Sequence, residues 1–577
     1  MSDLFAFSKK YYLRYKIRLC VGFFLIIISN ILTLIPIPYI GKSINAIKSL
    51  FIDFSNTTDS FNIKKDIFIY TGIILIGPII GGIVKYHMRK CIISTSRMIE
   101  FDIKNEIFSH YQKLSLSFYK ENSTGDLMNR LTEDVSFIRQ YIGPGVMYFI
   151  NLIILFIMVS IQMLRIEKTL TFYVILPIPI LFISIYYISI LIAKKSKEIQ
   201  NYQSFICSFI QDTFSGIHII KSFVAESFFQ EKYKRIVKDY QKKNIELAKI
   251  ETILSSIIIF FIGMSHLMIL FFGGKKYYFG EIKIGTIAEF FTYINVLIFP
   301  FIILGWVVSI VERAKVSQIR ISEFLNEKPN IYNNNLTLTK IVGNIEFKNV
   351  SFVYDKKNLD INENNCTINE ISFSLKSGKT LVLTGNTGSG KTTIGKLISR
   401  LYDPIYGNIF IDDMDLKNHN LFSFRKNIGY VPQESFLFSD SIYNNIALGC
   451  INSVSHYEVY SAAKIAMIEN DILNFRNGYQ TIIGERGVTL SGGQKQRICI
   501  ARAIIRNPKI IIFDDSFSAI DQKTRKAMIF YIKEKLKNTT IIIITHDISY
   551  INDFDLFIIL KKGRIYKIKE KIIANNF

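Results

Sequence analysis

Cysteine is scarce and scattered. Six occur in 577 residues (Cys20, Cys91, Cys207, Cys366, Cys450 and Cys499), and no two stand as C-x-x-C. That spacing indicates neither a zinc site nor a disulfide framework. The thiols fit a reducing cytoplasm and a membrane interior. Acidic residues are few beside basic ones, 47 Asp and Glu against 70 Lys and Arg, for a formal charge of +23. Such an excess suggests a polyanionic partner. Its placement argues otherwise, because Lys and Arg cluster beside apolar runs, as on the cytoplasmic side of a membrane protein. Ile, Lys and Asn are also overused throughout, so no nucleic-acid partner is expected. A cleavable leader is not expected either. The first apolar run starts near Cys20, lacks a small-residue cleavage pattern and reads as a retained helix.

What is present divides unevenly. A chain of 577 residues is too long for one core. Long apolar runs fill the first 310 or so residues, and the rest has the texture of an α/β domain. Residues 4–19 are amphipathic and basic, with Lys9, Lys10, Arg14, Lys16 and Arg18, and are expected to lie along the inner membrane face. Six apolar runs of about bilayer length follow, near 20–40, 67–84, 141–163, 170–192, 253–273 and 286–311. Two long basic segments, 85–140 and 193–252, carry most of the Lys and Arg of the apolar half of the chain. By the positive-inside rule they face the cytoplasm, with both termini. A structureless loop of that length is unusual, so the helices are expected to run on past the bilayer. Short turns would cap them near 114–121 and 213–222. Pro36, Pro38, Pro177, Pro179 and Pro300 should kink or loosen helices. Gly77 and Gly81 form a small-xxx-small pair for close packing. Gln162, His266, Glu289 and Asn295 are polar groups in or near the runs, and such groups can mark a pathway.

An Asn-rich linker at 326–340 leads to a strand near 344–353 that ends at Tyr354. A polar insertion occupies 358–366. Then Thr380-Leu381-Val382-Leu383 reads as a buried strand, followed by Gly385-Asn386-Thr387-Gly388-Ser389-Gly390-Lys391-Thr392 and a helix beginning at Thr393. This is G-x-x-x-x-G-K-[ST] in a strand–loop–helix setting, a phosphate-binding loop. Glycines let successive N–H groups turn inward around phosphate oxygens. The helix start adds its dipole. Lys391 can reach the outer phosphates, and the Thr392 hydroxyl can ligate Mg²⁺. Ile510-Ile511-Ile512-Phe513-Asp514 is an apolar strand ending in the carboxylate that a Mg²⁺-bound triphosphate needs. Gln433, in Val431-Pro432-Gln433-Glu434, offers an amide to Mg²⁺ or water. His546, after the apolar strand 541–544, can sense a γ-phosphate.

Leu490-Ser491-Gly492-Gly493-Gln494 precedes a clear helix, with Ser491 a good N-cap. It is a second anion-binding helix start. One nucleotide needs only one phosphate-binding loop. A second element makes sense if it closes over a nucleotide held by a partner chain, in a twofold arrangement.

In this order the residues resemble the ATP-binding cassette (ABC) exporters, as a half-transporter of the multidrug or lipid type. Gly385–Thr392 is similar to the Walker A motif, Gln433 to the Q-loop and Leu490–Gln494 to the signature motif. Ile510–Asp514 is similar to Walker B, Ser518-Ala519-Ile520-Asp521 to the D-loop and His546 to the switch histidine. Gly484-Glu485-Arg486-Gly487 resembles the exporter loop that meets the coupling helices, and 118–135 and 211–223 resemble the coupling regions. The resemblance implies a multi-domain chain. An all-α six-helix transmembrane domain at 1–325 (type I ABC exporter fold) precedes a linker at 326–340. An α/β P-loop NTPase domain, the ATP-binding cassette, fills 341–577.

It further implies ATP and Mg²⁺ as ligands and Tyr354 stacked on adenine. Walker A contacts run from Gly385 through Thr393, and signature contacts come from Ser491, Gly492, Gly493 and Gln494. Mg²⁺ would be held by Thr392, Gln433 and Asp514, with Asp515, His546 and Gln433 in catalysis. A second half-transporter, membrane lipids and a lipid-like or amphipathic substrate would be the partners, at a bacterial-type inner membrane. Two departures stand out. The family places Glu after the Walker B aspartate, whereas this chain has Asp515, one methylene shorter. In some heterodimeric exporters one subunit carries Asp there beside an intact signature. A slowly hydrolysing homodimer and a weakened-site subunit therefore both stay open, with an ATP-gated regulatory membrane protein as a further alternative. The second departure is a short stretch after Gly563-Arg564, without the acidic helical tail common in the family.

Overall fold

The structure, a computed structural model, describes residues 2–52, 57–333, 337, 339–354, 366–450, 454–484, 487, 489–549, 551 and 553–570. Nearly all of the polar insertion at 358–366, and Glu485 and Arg486, lie outside them. The chain forms two compact units. One comprises Met1–Gln112 and Thr124–Glu327; the other comprises Lys113–Ser123 and Lys328–Phe577.

The first unit is helical. Six rods, Lys16–Leu50, Ile63–Lys113, Thr124–Ile166, Lys168–Ser215, Glu226–Tyr278 and Ile284–Asn326, are long and apolar enough to cross a membrane. A core of Leu, Ile, Val and Phe side chains draws on the first, third, fourth, fifth and sixth rods, including Leu152, Ile178, Ile258 and Phe301. The second rod packs differently. A Cβ on Gly77 would lie 2.7 Å from Cγ of Pro36, so the small residue permits the close approach of the first two rods. The rod's outer side leaves Leu75, Ile76, Ile79 and Ile83 exposed. Contiguous apolar surface of this kind calls for lipid or another protein over it.

The prolines act according to position. Pro36 and Pro177 stand in the first turn of the helices Pro36–Ile52 and Pro177–Ser215, where a missing N–H costs little. Pro300 is different, because the helix Ile284–Asn326 runs through it unbroken. Surrounding helices tolerate such a residue. Pro144 lies in Tyr141–Gly145, a single π-helical turn. The N-terminal helix Ser2–Arg14 is tied to the second rod by Lys10–Glu106 at 2.8 Å and Arg14–Asp102 at 2.9 Å.

The second unit is α/β. Strands β1 (Ile345–Phe352), β2 (Ile368–Leu375), β4 (Tyr406–Ile411) and β5 (Met414–Asp415) form an antiparallel sheet in the order β2-β1-β4-β5. The larger sheet contains β3 (Thr380–Gly385), β6 (Ile428–Val431), β7 (Ile510–Asp514), β8 (Thr540–Ile544), β9 (Leu556–Lys561) and β10 (Arg564–Glu570). Its order is β10-β9-β3-β8-β7-β6, parallel except for the β9–β10 pair. The central strands are near-continuous apolar runs because both faces are covered. Alternation divides them between two cores. Val382, Ile511, Phe513, Ile541 and Ile543 face a helical cluster. Leu381, Leu383, Ile510, Ile512, Ile542 and Ile544 face the antiparallel sheet and the helix Lys391–Ile398. The parallel register brings the ends of β3, β8 and β7 side by side, where a ligand site forms in such sheets. The short helix Leu116–Glu121 belongs to this unit.

Candidate nucleotide site

The loop after β3 has the backbone its glycines allow. Gly385, Gly388 and Gly390 have φ of 148°, 78° and 96°. A Cβ on Gly385 would lie 2.2 Å from the Leu560 carbonyl oxygen, and one on Gly390 2.8 Å from that of Thr367. Gly390 caps the helix Lys391–Ile398, so the loop delivers its N–H groups at a helix start. Lys391 is buried and donates from Nζ to the carbonyls of Gly385 (2.8 Å) and Asn386 (2.9 Å). Burial pushes its ammonium pKa down; the carboxylates of Asp515 and Asp514 oppose that. Ser389 is buried with an unpartnered Oγ. An orphaned hydroxyl beside a buried cation in a glycine cradle fits phosphate oxygens.

At the end of β7, Asp514 is buried and accepts from Thr392 Oγ1 at 2.8 Å and from the Tyr430 hydroxyl at 2.9 Å. A hydroxyl and a carboxylate oxygen in contact, next to a phosphate cradle, suit a Mg²⁺ ion that takes its remaining ligands from phosphates and water. Among the described residues no cluster of three or more His, Cys, Asp or Glu could hold a metal by itself.

Asp515 follows with φ of 48°, unusual for a residue with a side chain. Its N–H donates to the Ile544 carbonyl at 2.9 Å, which fixes the turn to β8. Burial pushes its carboxyl above the usual aspartate range. His546 and Lys391 act against this, and Asp514 adds to it. His546 is exposed and lines a groove of about 620 Å³ with Gly385, Asn386 and Thr387. Gln433 is exposed beyond β6.

Tyr354 follows β1. Its hydroxyl lies 3.1 Å from Thr393 Oγ1, and Phe352 and Tyr402 approach its ring at right angles. Lys120 Nζ stands 4.1 Å from the centre of that ring. No periodicity or motif pairs this distant lysine with Tyr354, so the sequence reading missed it. The available signal was only the turn expected near 114–121. The short helix brings the lysine there, with Asn330 Nδ2 donating to Ser117 Oγ at 2.9 Å beside it.

The signature segment is built elsewhere in the same unit. Ser491 caps the helix Gly492–Ile504 in a reciprocal capping box with Gln494. The Gln494 amide also donates to Asp471 at 2.9 Å, and Arg497 pairs with the same carboxylate at 2.9 Å. A Cβ on Gly493 would lie 2.9 Å from the Ala519 carbonyl oxygen, and Gln496 accepts from the Ala519 N–H at 3.0 Å. Asp521 then caps the helix Gln522–Lys535. Among the described residues no hydrogen bond links 491–494 to 385–393. The structure thus gathers Tyr354, 385–393, Asp514, Asp515 and His546, and gives Ser491–Gln494 hydrogen-bond partners of its own, Asp471 among them.

Residues 19–301 match the ABC transporter transmembrane region, and 368–518 match the ABC transporter family. A multidrug resistance-like ATP-binding protein, MdlA, of Buchnera aphidicola subsp. Baizongia pistaciae is 33% identical over 98% of this chain and 96% of its own. A probable multidrug resistance ABC transporter ATP-binding/permease protein of Bacillus subtilis, YheI, is 30% identical over 99% and 94%. An ATP-dependent lipid A-core flippase of Haemophilus influenzae is 29% identical over 89% and 86%. The structure of a bacterial Atm1-family ABC exporter with ATP bound superposes with a TM-score of 0.80 at 23% identity, covering 96% of this chain and 95% of that one. The chain belongs to the ABC transporters, as an exporter half-transporter with a six-helix membrane domain followed by one ATP-binding cassette.

Proposed function

We propose that this half-transporter pairs with a second one and uses ATP, bound and hydrolysed at composite sites, to move an amphipathic or lipid-like molecule outward across a bacterial inner membrane. Each site joins the phosphate loop of one chain to Ser491, Gly492, Gly493 and Gln494 of the other. The observation that carries the reading is the meeting of Lys391, Thr392 and Asp514 at the ends of β3 and β7, beside the orphaned Ser389 hydroxyl. Tyr354 stacks on adenine. Backbone N–H groups of 385–393 hold the phosphates, and Lys391 gives up its two carbonyl partners to neutralise them. Thr392, Asp514 and Gln433 would hold Mg²⁺, which supplies charge neutralisation across the outer phosphates. Asp515 orients the attacking water and takes its proton, and His546 contacts the γ-phosphate. The clustering of Lys and Arg in 85–140 and 193–252 supports a cytoplasmic cassette. The multidrug-like and lipid A-core flippase relatives support an amphipathic cargo.

Inside-out vesicles holding the chain should accumulate a fluorescent amphiphile only with ATP and Mg²⁺, and Lys391→Ala should stop accumulation. Uptake indifferent to Lys391 would refute the reading. A second reading has one observation in its favour, Asp515 beside a well-formed Ser491–Gln494 cap. In it, this chain is the weakened-site subunit of a heterodimer and completes a partner's working site.

A further inference from the structure

A separate constellation lies in the membrane unit, and the nucleotide chemistry does not use it. Lys85, Arg89 and Lys90 follow directly on the apolar run of the second rod. Lys85 and Arg89 are spaced i, i+4 and so share one helix face, where like charges repel. They border two cavities that meet at this pair. One is a groove of about 560 Å³, walled also by Gly82 and Tyr86. The other, of about 280 Å³, is walled by four rods. Ser29, Asn30 and Thr33 of the first rod and Asn151 of the third give it a polar side. Met147, Leu155, Val296 and Phe299 give it an apolar one. Neither lining contains an Asp or Glu.

Two donors at this place lack acceptors. Asn30 is 5% exposed, and its Nδ2 has no hydrogen-bond partner. The buried Nε of Arg89 has none either. Water could satisfy the donors but would leave two neighbouring cations without a counter-charge. An anion does both, and a guanidinium matches planar or tetrahedral oxyanions in particular. The level also fits. The charges stand where the apolar run ends, which is where the head of a bilayer-embedded amphiphile lies.

We propose that this cavity binds the phosphate-type anionic head of an amphiphile. Arg89 and Lys85 neutralise the head, Asn30 donates to it, and the apolar wall of Met147, Leu155, Val296 and Phe299 receives its chain. The proposal sharpens the export reading by naming the charge class of the cargo. Its test needs no ATP, so the two can fail separately.

Trp306 is the only tryptophan in the chain, and its ring lies 6.0 Å from that of Tyr148, a residue of the cavity wall. Its emission is therefore a local probe in the purified full chain in a neutral maltoside detergent. Titration with dihexanoyl phosphatidic acid should change the emission saturably. Half-saturation should come roughly tenfold lower than with the zwitterionic dihexanoyl phosphatidylcholine, as a charge-assisted contact requires. Inorganic phosphate should bind much more weakly than the lipid. Lys85→Gln with Arg89→Gln should erase the preference, and Arg89→Lys should keep part of it. Asn30→Asp, which truncates nothing, should weaken phosphatidic acid binding more than phosphatidylcholine binding. Equal affinity for the two lipids, or a preference untouched by the double variant, would overturn the proposal. Phosphate binding as tightly as the lipid would replace it with a free-anion site. If vesicles export no amphiphile yet this binding holds, the export reading fails and the site stands.

Discussion

In the proposed function, hydrolysis turns on Asp515. It is one methylene shorter than the Glu that the resemblance to ABC exporters leads one to expect there, and a shortfall of that order at a reacting atom can cost about 100-fold. Its φ of 48° and its tie to Ile544 fix the backbone, so a backbone shift does not make up for the shorter side chain. Burial and Asp514 hold its carboxyl above the ordinary range, against the pull of His546 and Lys391. A base must be deprotonated to accept a proton, so turnover should be lost as pH falls through this raised value. The acid limb of the kcat profile is thus expected above the ordinary aspartate range; a limb at the ordinary value would contradict this assignment.

Lys120 gives a second residue-scale expectation. An exposed cation over a half-buried ring, as Lys120 is over Tyr354, contributes about 0.5–1 kcal/mol, while a stacked base contributes about 1–3 kcal/mol. Adenine should therefore displace Lys120 from Tyr354. Lys120→Ala should tighten ATP binding to the full chain by roughly twofold to fivefold, the equivalent of that lost contact. Titration calorimetry showing weaker binding would instead make Lys120 a nucleotide ligand.

At the scale of elements, the phosphate loop is the most specified piece of the chain. Gly385→Ala would place a methyl 2.2 Å from a backbone carbonyl that cannot move without breaking the β3–β9 pairing. Gly388→Ala meets nothing within 4 Å and suffers only from its φ of 78°. The first should cost about 3 kcal/mol or more and the second about 1 kcal/mol, read as the difference in thermal unfolding midpoint of the full chain. Equal shifts would show that the close approach is not what selects glycine at 385.

The loop was legible in the sequence because its chemistry is local, with glycines, Lys391 and Thr392 inside eight residues after an apolar strand. The same is true of Ser491, whose capping box is a four-residue pattern. Where contacts are long-range the sequence fell silent. Nothing local tells that Tyr430 donates to Asp514, that Arg497 and Gln494 share Asp471, or that Lys120 reaches Tyr354. Pro300 lies inside the continuous helix Ile284–Asn326, where surrounding rods rather than propensity keep the helix going.

At the scale of the molecule, six apolar rods and an α/β cassette are what the hydropathy runs and strand–loop–helix signals implied, and family membership follows from both halves together. The exposed apolar side of the second rod and the separation of Ser491–Gln494 from 385–393 point the same way, to a chain that functions in a bilayer and with a partner. In the proposed function this chain turns ATP over at sites whose rate Asp515 limits. This is tested most directly by the ATPase rate of the purified chain alone in lipid nanodiscs, beside Asp515→Glu and Asp515→Asn. Native turnover should be slow, rise roughly 10- to 100-fold with Glu, and vanish with Asn. Brisk native turnover that survives Asp515→Asn would contradict this reading.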